Sequence, residues 1–578
     1  MTNEHFIPGK DASLESTIET MKAKLAARGF VLNESSLLHE VDGIWSTHMK
    51  DNVCPMLFSN GKGATELAAR ASAYGEFFER LGTHYFWTHF HLGETRANKS
   101  FVHYPQERWF PLPKSTKKSR GTKWPKEMLN AELHKFYNPG DKIPLEVLVD
   151  LNSGNVARGV CTLPYKRLKD GAETFIPVNI IGNLYVSNGM AAGNTLMEAR
   201  TQALSEIFER AIKYRIIAEG LCLPEVPDDV ISHFPNIRAG IDGLRKAGFG
   251  ILVRDASLGG KYPVMNVTLI HPKDQGIFSS YGAHPRFEIA LERAMTELLQ
   301  GRALDSLEGF PEPGFDMEEV TAVNNLEIHF VDSSGVVHWN FMGDTPDFPF
   351  VDWNFSTTTE EDYHWLVNCI HGEGKDIYVA DFSEQGAYSC RILVPGMSEI
   401  YPVEDLEWEN NSLGNALRPS LVRLHELTEE ECGKLLEEFQ TMNVADERPL
   451  WEILGLAIPE GTPWKQLRIG ELKTLLALAI GDEDEVLEGC DWIHHFADLA
   501  PARRLVYRCI ETMLEMEDNV PNFERSMVLM YGADTVRQAE ALIAGKERFF
   551  GLDTLGADMQ GSKMHQTLLA AYDKLFVA

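Results

Sequence analysis

Five hundred and seventy-eight residues exceed what one compact core usually holds, so two or three domains are expected. Hydrophobic residues at 44% and charged residues at 24% exclude wholesale disorder. Acids outnumber bases 85 to 54, and the net charge of −31 argues against broad binding to nucleic acid or an anionic membrane. The acid is uneven. Residues 401–578 hold 33 acids and 16 bases, net −17, which leaves −14 for the first 400 and hints at a boundary there. The N-terminus carries no basic segment followed by an apolar stretch, and no apolar run approaches the ~18 residues of a membrane-spanning helix, so a cytoplasmic protein is expected. The eight cysteines are scattered without any C-x-x-C, which disfavours zinc, iron–sulfur and disulfide frameworks.

Along the first 400 residues short β-rich runs alternate with helical periodicity. The pattern predicts a helix over 67–81, a strand over 176–183 and a helix over 196–219. Strands over 251–254 and 263–270, a helix over 288–304 and a strand over 377–381 follow, so the fold class is α/β. Beyond residue 415 only helices are expected, over 435–439, 471–480, 502–516 and 535–544. Their order resembles a tetratricopeptide-like array. The expected division is 1–410 as an α/β domain and 415–578 as an all-α association domain, with homodimerisation through the apolar positions of 502–516 and through Phe549-Phe550.

Self-comparison reveals a repeat. Ala73-Tyr74-Gly75-Glu76-Phe77-Phe78-Glu79-Arg80 recurs as Ala203-Leu204-Ser205-Glu206-Ile207-Phe208-Glu209-Arg210. A weaker copy is Ala294-Met295-Thr296-Glu297-Leu298-Leu299-Gln300. Each follows a glycine-containing stretch, read here as a loop: Asn60-Gly61-Lys62-Gly63, Asn188-Gly189 to Gly193-Asn194, and Tyr281-Gly282-Ala283-His284. On the first helix Leu67, Ala71, Tyr74, Phe78 and Leu81 form an apolar stripe with Glu76 nearly opposite. Glu198, Gln202, Glu206 and Glu209 share one face of the second helix, and Arg293, Glu297 and Gln300 one face of the third. For one helix a solvated face is the ordinary reading, but three copies point to convergence. Converging carboxylates repel unless cations sit between them, and oxygen ligands without Cys or His suit Mg2+ arriving with phosphates. Neither a Walker A motif nor kinase signatures occur, so residue chemistry alone stops at an Mg-nucleotide site of unfamiliar type.

The segment from Ser187 to Asn194, followed by Glu198-Ala199 and Ala203 to Arg210, resembles the signature of the YcaO family. Residues 60–80 and 282–302 resemble its other two blocks, and Phe6-Ile7-Pro8-Gly9-Lys10-Asp11 its opening. The resemblance implies an ATP-binding YcaO-type domain in which glutamates hold Mg2+ against the triphosphate. By that resemblance Glu76, Glu79, Glu206, Glu209 and Glu297 are the metal ligands. Lys10, Thr17, Asn194, Glu198, Gln202 and Arg293 are the nucleotide contacts, with Arg210 behind them. It also implies a function in protein modification, as accessory factor to RimO-catalysed β-methylthiolation of an aspartate in a small-subunit ribosomal protein. The alternative is ATP-dependent activation of a backbone amide, giving a cyclodehydratase or a thioamide-forming enzyme. The implied partners are a RimO-type methylthiotransferase and that ribosomal protein; the expectation of a second copy of the chain rests on the helical C-terminal segment alone.

Two departures disfavour heterocycle formation. The chain ends Lys574-Leu575-Phe576-Val577-Ala578 rather than in a Pro-x-Pro-x-Pro tail, and few residues precede the first block for a leader-binding domain. A basic cluster, Lys114, Lys117, Lys118, Arg120, Lys123 and Lys126, is expected to be a solvated loop, and His284 to cap a loop or act in catalysis.

Overall fold

The computed structural model describes residues 4–113, 122–150, 156–408, 413–442, 444–496, 499–517 and 522–576. The strands are β1 (Leu32–Val41), β2 (Ile44–Asp51), β3 (Phe58–Gly63), β4 (Arg108–Phe110), β5 (Val160–Arg167), β6 (Glu173–Pro177), β7 (Met190–Gly193), β8 (Gly250–Asp255), β9 (Val264–Ile270), β10 (Ile277–Ala283), β11 (Tyr378–Phe382) and β12 (Tyr388–Leu393). Among the helices are α1 (Leu14–Ala27), α2 (Glu66–Gly82), α3 (Leu196–Glu219), α4 (Phe287–Glu297), α5 (Val323–Val331) and α6 (Thr359–Gly372). Later come α7 (Glu429–Met442), α8 (Ile469–Ile480), α9 (Glu483–Phe496), α10 (Pro501–Glu517), α11 (Ala533–Ile543) and α12 (Lys563–Asp573).

The strands form three antiparallel sheets. β1-β2-β3 and β8-β9-β10 are meanders, while the largest runs β4-β5-β11-β12-β7 with β6 beside β5. Three strand–helix units knit them together. β3 leads into α2, β7 into α3 and β10 into α4, and each helix packs back on its own strand. Each also packs on a strand of another unit: α2 on β7, α3 on β10 and α4 on β3. The three contacts close a ring, which is why segments far apart in sequence meet at one centre.

Three local expectations are corrected. The run 176–183 is strand only to Pro177; Val178–Ile180 and Ile181–Tyr185 coil into an α-turn and a π-turn. A short apolar run buried on all sides carries no period that separates strand from helix. The helix expected over 288–304 ends at Glu297, and Gly301 soon follows in the left-handed region at φ +70°. On α2 the expected stripe holds at Tyr74, Phe78 and Leu81, but the buried face also takes in Ala69, Ala73 and Phe77, and Leu67 and Ala71 are only half-buried.

Past residue 413 a separate apolar core forms, in which α7 packs on α8, α8 on α9, α9 on α10 and α10 on α11. Of the contacts expected to meet a second copy, Val506, Tyr507, Cys509, Ile510 and Phe549 are buried inside it, while Leu505, Met513 and Phe550 are half-buried at its edge. The last helix leaves that core. Leu568, Leu569, Tyr572 and Leu575 join Met21, Leu25, Phe30 and Phe77 of the first half. Asp573 accepts from Arg96 and Lys99, the Trp87 indole donates to the Leu568 carbonyl, and the Tyr572 hydroxyl donates to the Val102 carbonyl. The eight cysteines are unpaired, all but Cys369 buried. Among the described residues no helix is long and apolar enough to cross a membrane.

Candidate functional site

Gly61, Gly63, Gly193 and Gly282 lie on strands rather than in the loops expected, while Asn188-Gly189 stays in a turn, and the strand glycines let each helix lie against the strand that precedes it. A Cβ on Gly61 would stand 1.9 Å from the Ala69 carbonyl oxygen, and one on Gly282 2.4 Å from that of Ala290. Both glycines meet the residue eight positions later, as equivalent members of a repeat should. Thr65 and Thr195 cap α2 and α3, each hydroxyl accepting from the N–H three residues on. With strand, cap and helix in common register, Glu76, Glu206 and Glu297 occupy equivalent places and are part-buried, 19%, 19% and 32% exposed.

Electrostatic coupling records that convergence. Burial raises the Glu79 carboxyl well above the usual carboxylate range, and Glu206 and Glu76 push it further. Burial also raises Glu76 and Glu206; Arg80 opposes the first and Arg210 the second, while Glu209 adds to the rise at Glu206. Each of these arginines pairs with the glutamate one turn before it, Arg80 with Glu76 at 2.5 Å and Arg210 with Glu206 at 2.9 Å. Lys62 holds the middle. Its ammonium contacts Glu297, and burial lowers it to about 8 against the opposing fields of Glu209, Glu76 and Glu206. Among the described residues no three His, Cys, Asp or Glu side chains already surround one point that a metal ion could take. The carboxylates turn to basic groups instead, so Lys62, Arg80 and Arg210 supply the positive charge that such a cluster requires.

That donor set fits Mg2+. It consists of carboxylate oxygens without sulfur or imidazole, and a bound cation would relieve its repulsion without protonation.

A second cluster lies at the N-terminal end of α3. Glu198, buried, accepts from Lys10 Nζ at 3.1 Å, from the Asp11 backbone N–H at 3.0 Å and from Asn194 Nδ2 at 3.1 Å. The Thr17 hydroxyl contacts Asn194 Oδ1 at 3.0 Å and donates to the Ser13 carbonyl at 2.9 Å. Four residues that the sequence singles out, from three segments, thus share one network. An open cavity of about 630 Å³ borders it, lined by Gly9, Lys10, Asp11, Thr195, Arg286 and Thr358 among others. Arg293 donates to Gln202 Oε1 and, at 2.8 Å, to the Ala283 carbonyl, and lies in the field of Glu209 and Glu206.

Nothing local in the sequence marks Lys62 as a member of the site; its one signal is its place inside the first glycine stretch. His284 is buried and its Nδ1 accepts from the Arg286 N–H at 3.1 Å, a turn-capping role before α4. Of the basic cluster, Lys114, Lys117, Lys118 and Arg120 lie outside the described residues. Lys123 is solvated and pairs with Asp141 at 3.0 Å.

Residues 60–398 match the family model described as YcaO cyclodehydratase, ATP and Mg2+ binding, and residues 414–578 match the YcaO cyclodehydratase C-terminal domain. The chain is 48% identical to the Escherichia coli ribosomal protein S12 methylthiotransferase accessory factor YcaO, covering 99% of this chain and 98% of the relative. It is 44% identical to an uncharacterized Haemophilus influenzae protein, covering 100% and 98%. Among solved structures, the YcaO of Methanopyrus kandleri bound with AMPPCP and Mg2+ aligns with a TM-score of 0.42 at 18% identity, over 69% of this chain and 96% of that one. A heterocyclase in complex with substrate and cofactor aligns at 0.46 and 16% identity, over 70% and 56%. The chain belongs to the YcaO family.

Proposed function

We propose that the chain binds Mg-ATP at the ring's centre and uses it in protein modification, as an accessory factor for methylthiolation of ribosomal protein S12. The supporting observation is the convergence of carboxylates from three equivalent helices: Glu76, Glu206, Glu209 and Glu297 act on the ammonium of Lys62, and Glu206 and Glu76 act on Glu79. In this reading those glutamates hold Mg2+ while Lys10, Thr17, Asn194, Glu198, Gln202 and Arg293 hold the nucleotide. Bound ATP would supply phosphoryl chemistry. The residues position it and neutralise charge rather than attack it. The near-complete coverage at 48% identity supports the accessory role, with a RimO-type methylthiotransferase and S12 as cytoplasmic partners. The family's description as cyclodehydratase favours the second reading, ATP-dependent activation of a backbone amide.

ATP turnover by the full chain, with and without the methylthiotransferase and S12, separates the two. Stimulation only by those partners supports the accessory role; partner-independent modification of an amide supports the enzyme. Absence of Mg-ATP binding removes both. Homodimerisation is proposed through the short helix Glu524–Tyr531, where Leu529 and Met530 are 76% and 65% exposed.

A further inference from the structure

The strand that carries Lys62 also aims it. Gly61 and Gly63 lie against α2, where a Cβ on either would come within 2.6 Å of Ala69 or Ala68. Side chains alternate along a strand, so Lys62, between the two glycines, projects from the other face of β3. Its cross-strand partner on β2 is Ser46, whose side chain shares that face. Ser46 Oγ accepts from the Gly301 N–H at 2.7 Å, and the Asn60 carbonyl accepts from Gln300 Nε2 at 3.3 Å. Both bonds tie the sheet to the residues that follow α4, and between them the Lys62 ammonium meets Glu297, the last residue of that helix.

The three cations of the glutamate cluster are anchored differently. Besides Glu76, Arg80 holds the Phe58 carbonyl at 3.2 Å and lies 5.7 Å over the Phe58 ring. Besides Glu206, Arg210 holds the Phe330 carbonyl at 3.3 Å and lies 4.2 Å over the Phe330 ring. Lys62 has no second anchor of this kind: among the described residues its side chain makes one ion pair, with Glu297. The other charges acting on it are Glu209, Glu76 and Glu206, which attract it, and Arg293, which repels it. If the glutamates turn to another cation, each arginine keeps a neighbour outside the cluster. Lys62 keeps none.

That difference has a consequence for loading the site. A divalent cation on these carboxylates would take the oxygens that hold Lys62 and leave its positive charge beside a second one. Only an anion brought to the same place removes the repulsion, and Mg2+ that arrives with phosphates brings one. One side chain thereby disfavours metal alone and favours metal with nucleotide.

We infer that Lys62 is the resident counter-cation of the glutamate cluster, which gives up its carboxylates when Mg2+ arrives and pairs with a phosphate oxygen of the bound nucleotide, so that metal binding depends on nucleotide. The inference rests on the proposed Mg-ATP site and assigns to it a residue that holds free metal out.

Two titrations of the full chain test it. In the first, Mn2+ stands in for Mg2+, because electron paramagnetic resonance reads the unbound ion directly. Without nucleotide, Lys62→Met is expected to bind Mn2+ at least tenfold tighter than the wild type does. In the second, Lys62→Met is expected to bind a non-hydrolysable ATP analogue with Mg2+ at least tenfold more weakly than the wild type. Lys62→Arg keeps the charge, so it should hold free Mn2+ out as the wild type does and recover part of the nucleotide affinity. The opposite signs mark the role, since a structural defect weakens both ligands together. Circular dichroism checks the fold, and Lys62→Gln takes the place of the Met variant if that one misfolds. Mn2+ binding no tighter in the neutral variant overturns the inference, as does undiminished binding of the analogue. A wild type that takes up no analogue sinks the proposed nucleotide site instead, and the Mn2+ comparison still decides whether Lys62 holds the metal out.

Discussion

The ammonium of Lys62, at the end of β3, rests against the carboxylate of Glu297 on α4, joining the first and third repeat units at the ring's centre. Glu76, Glu206 and Glu209 act on the same ammonium. One lysine thus stands among carboxylates that come from all three helices. A cluster with more acid than base at its centre is poised to take up a cation.

Removing one carboxylate should therefore have opposite effects on the free and liganded protein. Glu79→Gln is expected to raise the melting temperature of the free chain near neutral pH, because repulsion with Glu206 and Glu76 is relieved. For the wild type, Mg-ATP at a hundredfold excess over Kd is expected to add ~2.7 kcal/mol of stability. Glu206→Gln is expected to lose most of that gain. Differential scanning fluorimetry of the three proteins, with and without Mg-ATP, checks both signs; an undiminished shift in Glu206→Gln refutes its role.

The raised carboxyls set a pH dependence. Glu76, Glu79 and Glu206 have folded values above the ordinary 4.5, so over that window the folded state holds more protons than the unfolded chain. Their contribution to stability consequently falls as pH rises from near 4.5 through the folded values, and the penalty is complete above them. The stabilisation given by Mg-ATP should grow over the same range. Melting curves from pH 5 to 8 measure it, and Glu79→Gln should flatten the slope.

The two packing glycines should be intolerant, and a third should welcome change. Gly61→Ala and Gly282→Ala place a methyl against backbone carbonyls at 1.9 and 2.4 Å, so each is expected to cost about 3 kcal/mol or prevent folding. Gly75 lies inside α2 with open space around it, and Gly75→Ala is expected to stabilise by ~0.5–1 kcal/mol. Urea denaturation of the three variants provides the comparison.

Glu198 anchors three donors from two segments, so Glu198→Ala leaves Lys10 and Asn194 without their shared acceptor. The expected loss is on the order of 2 kcal/mol of stability, with weaker ATP binding. Glu198→Gln should recover part of the fold but not the pairing with Lys10. Denaturation and nucleotide titration of both variants separate scaffold from site.

If two copies associate through the helix Glu524–Tyr531, Leu529→Glu should yield monomers that still bind ATP. Light scattering of wild type and variant decides; unchanged mass would refute that surface.

Much of this site is legible in the order of its residues. The repeated Ala-x-x-Glu core marks Glu76, Glu206 and Glu297, since helical spacing alone puts them on a definite face. The extent of α3 is readable to the residue, because its cap Thr195 and its terminating Gly220 are local signals. The run 176–183 is not legible in this way, because burial on all sides leaves it without a period.

Neighbouring residues by themselves settle the extent of α3, the repeated glutamates, and the family those motifs identify. Only the tertiary structure decides that α2, α3 and α4 close a ring, that Lys62 stands at its centre, that α12 returns to the first half, and that Phe549 is buried. These depend on contacts between segments hundreds of residues apart. Periodicity gives the face that each segment will bury, but the surface that covers it is settled only when distant segments pack together.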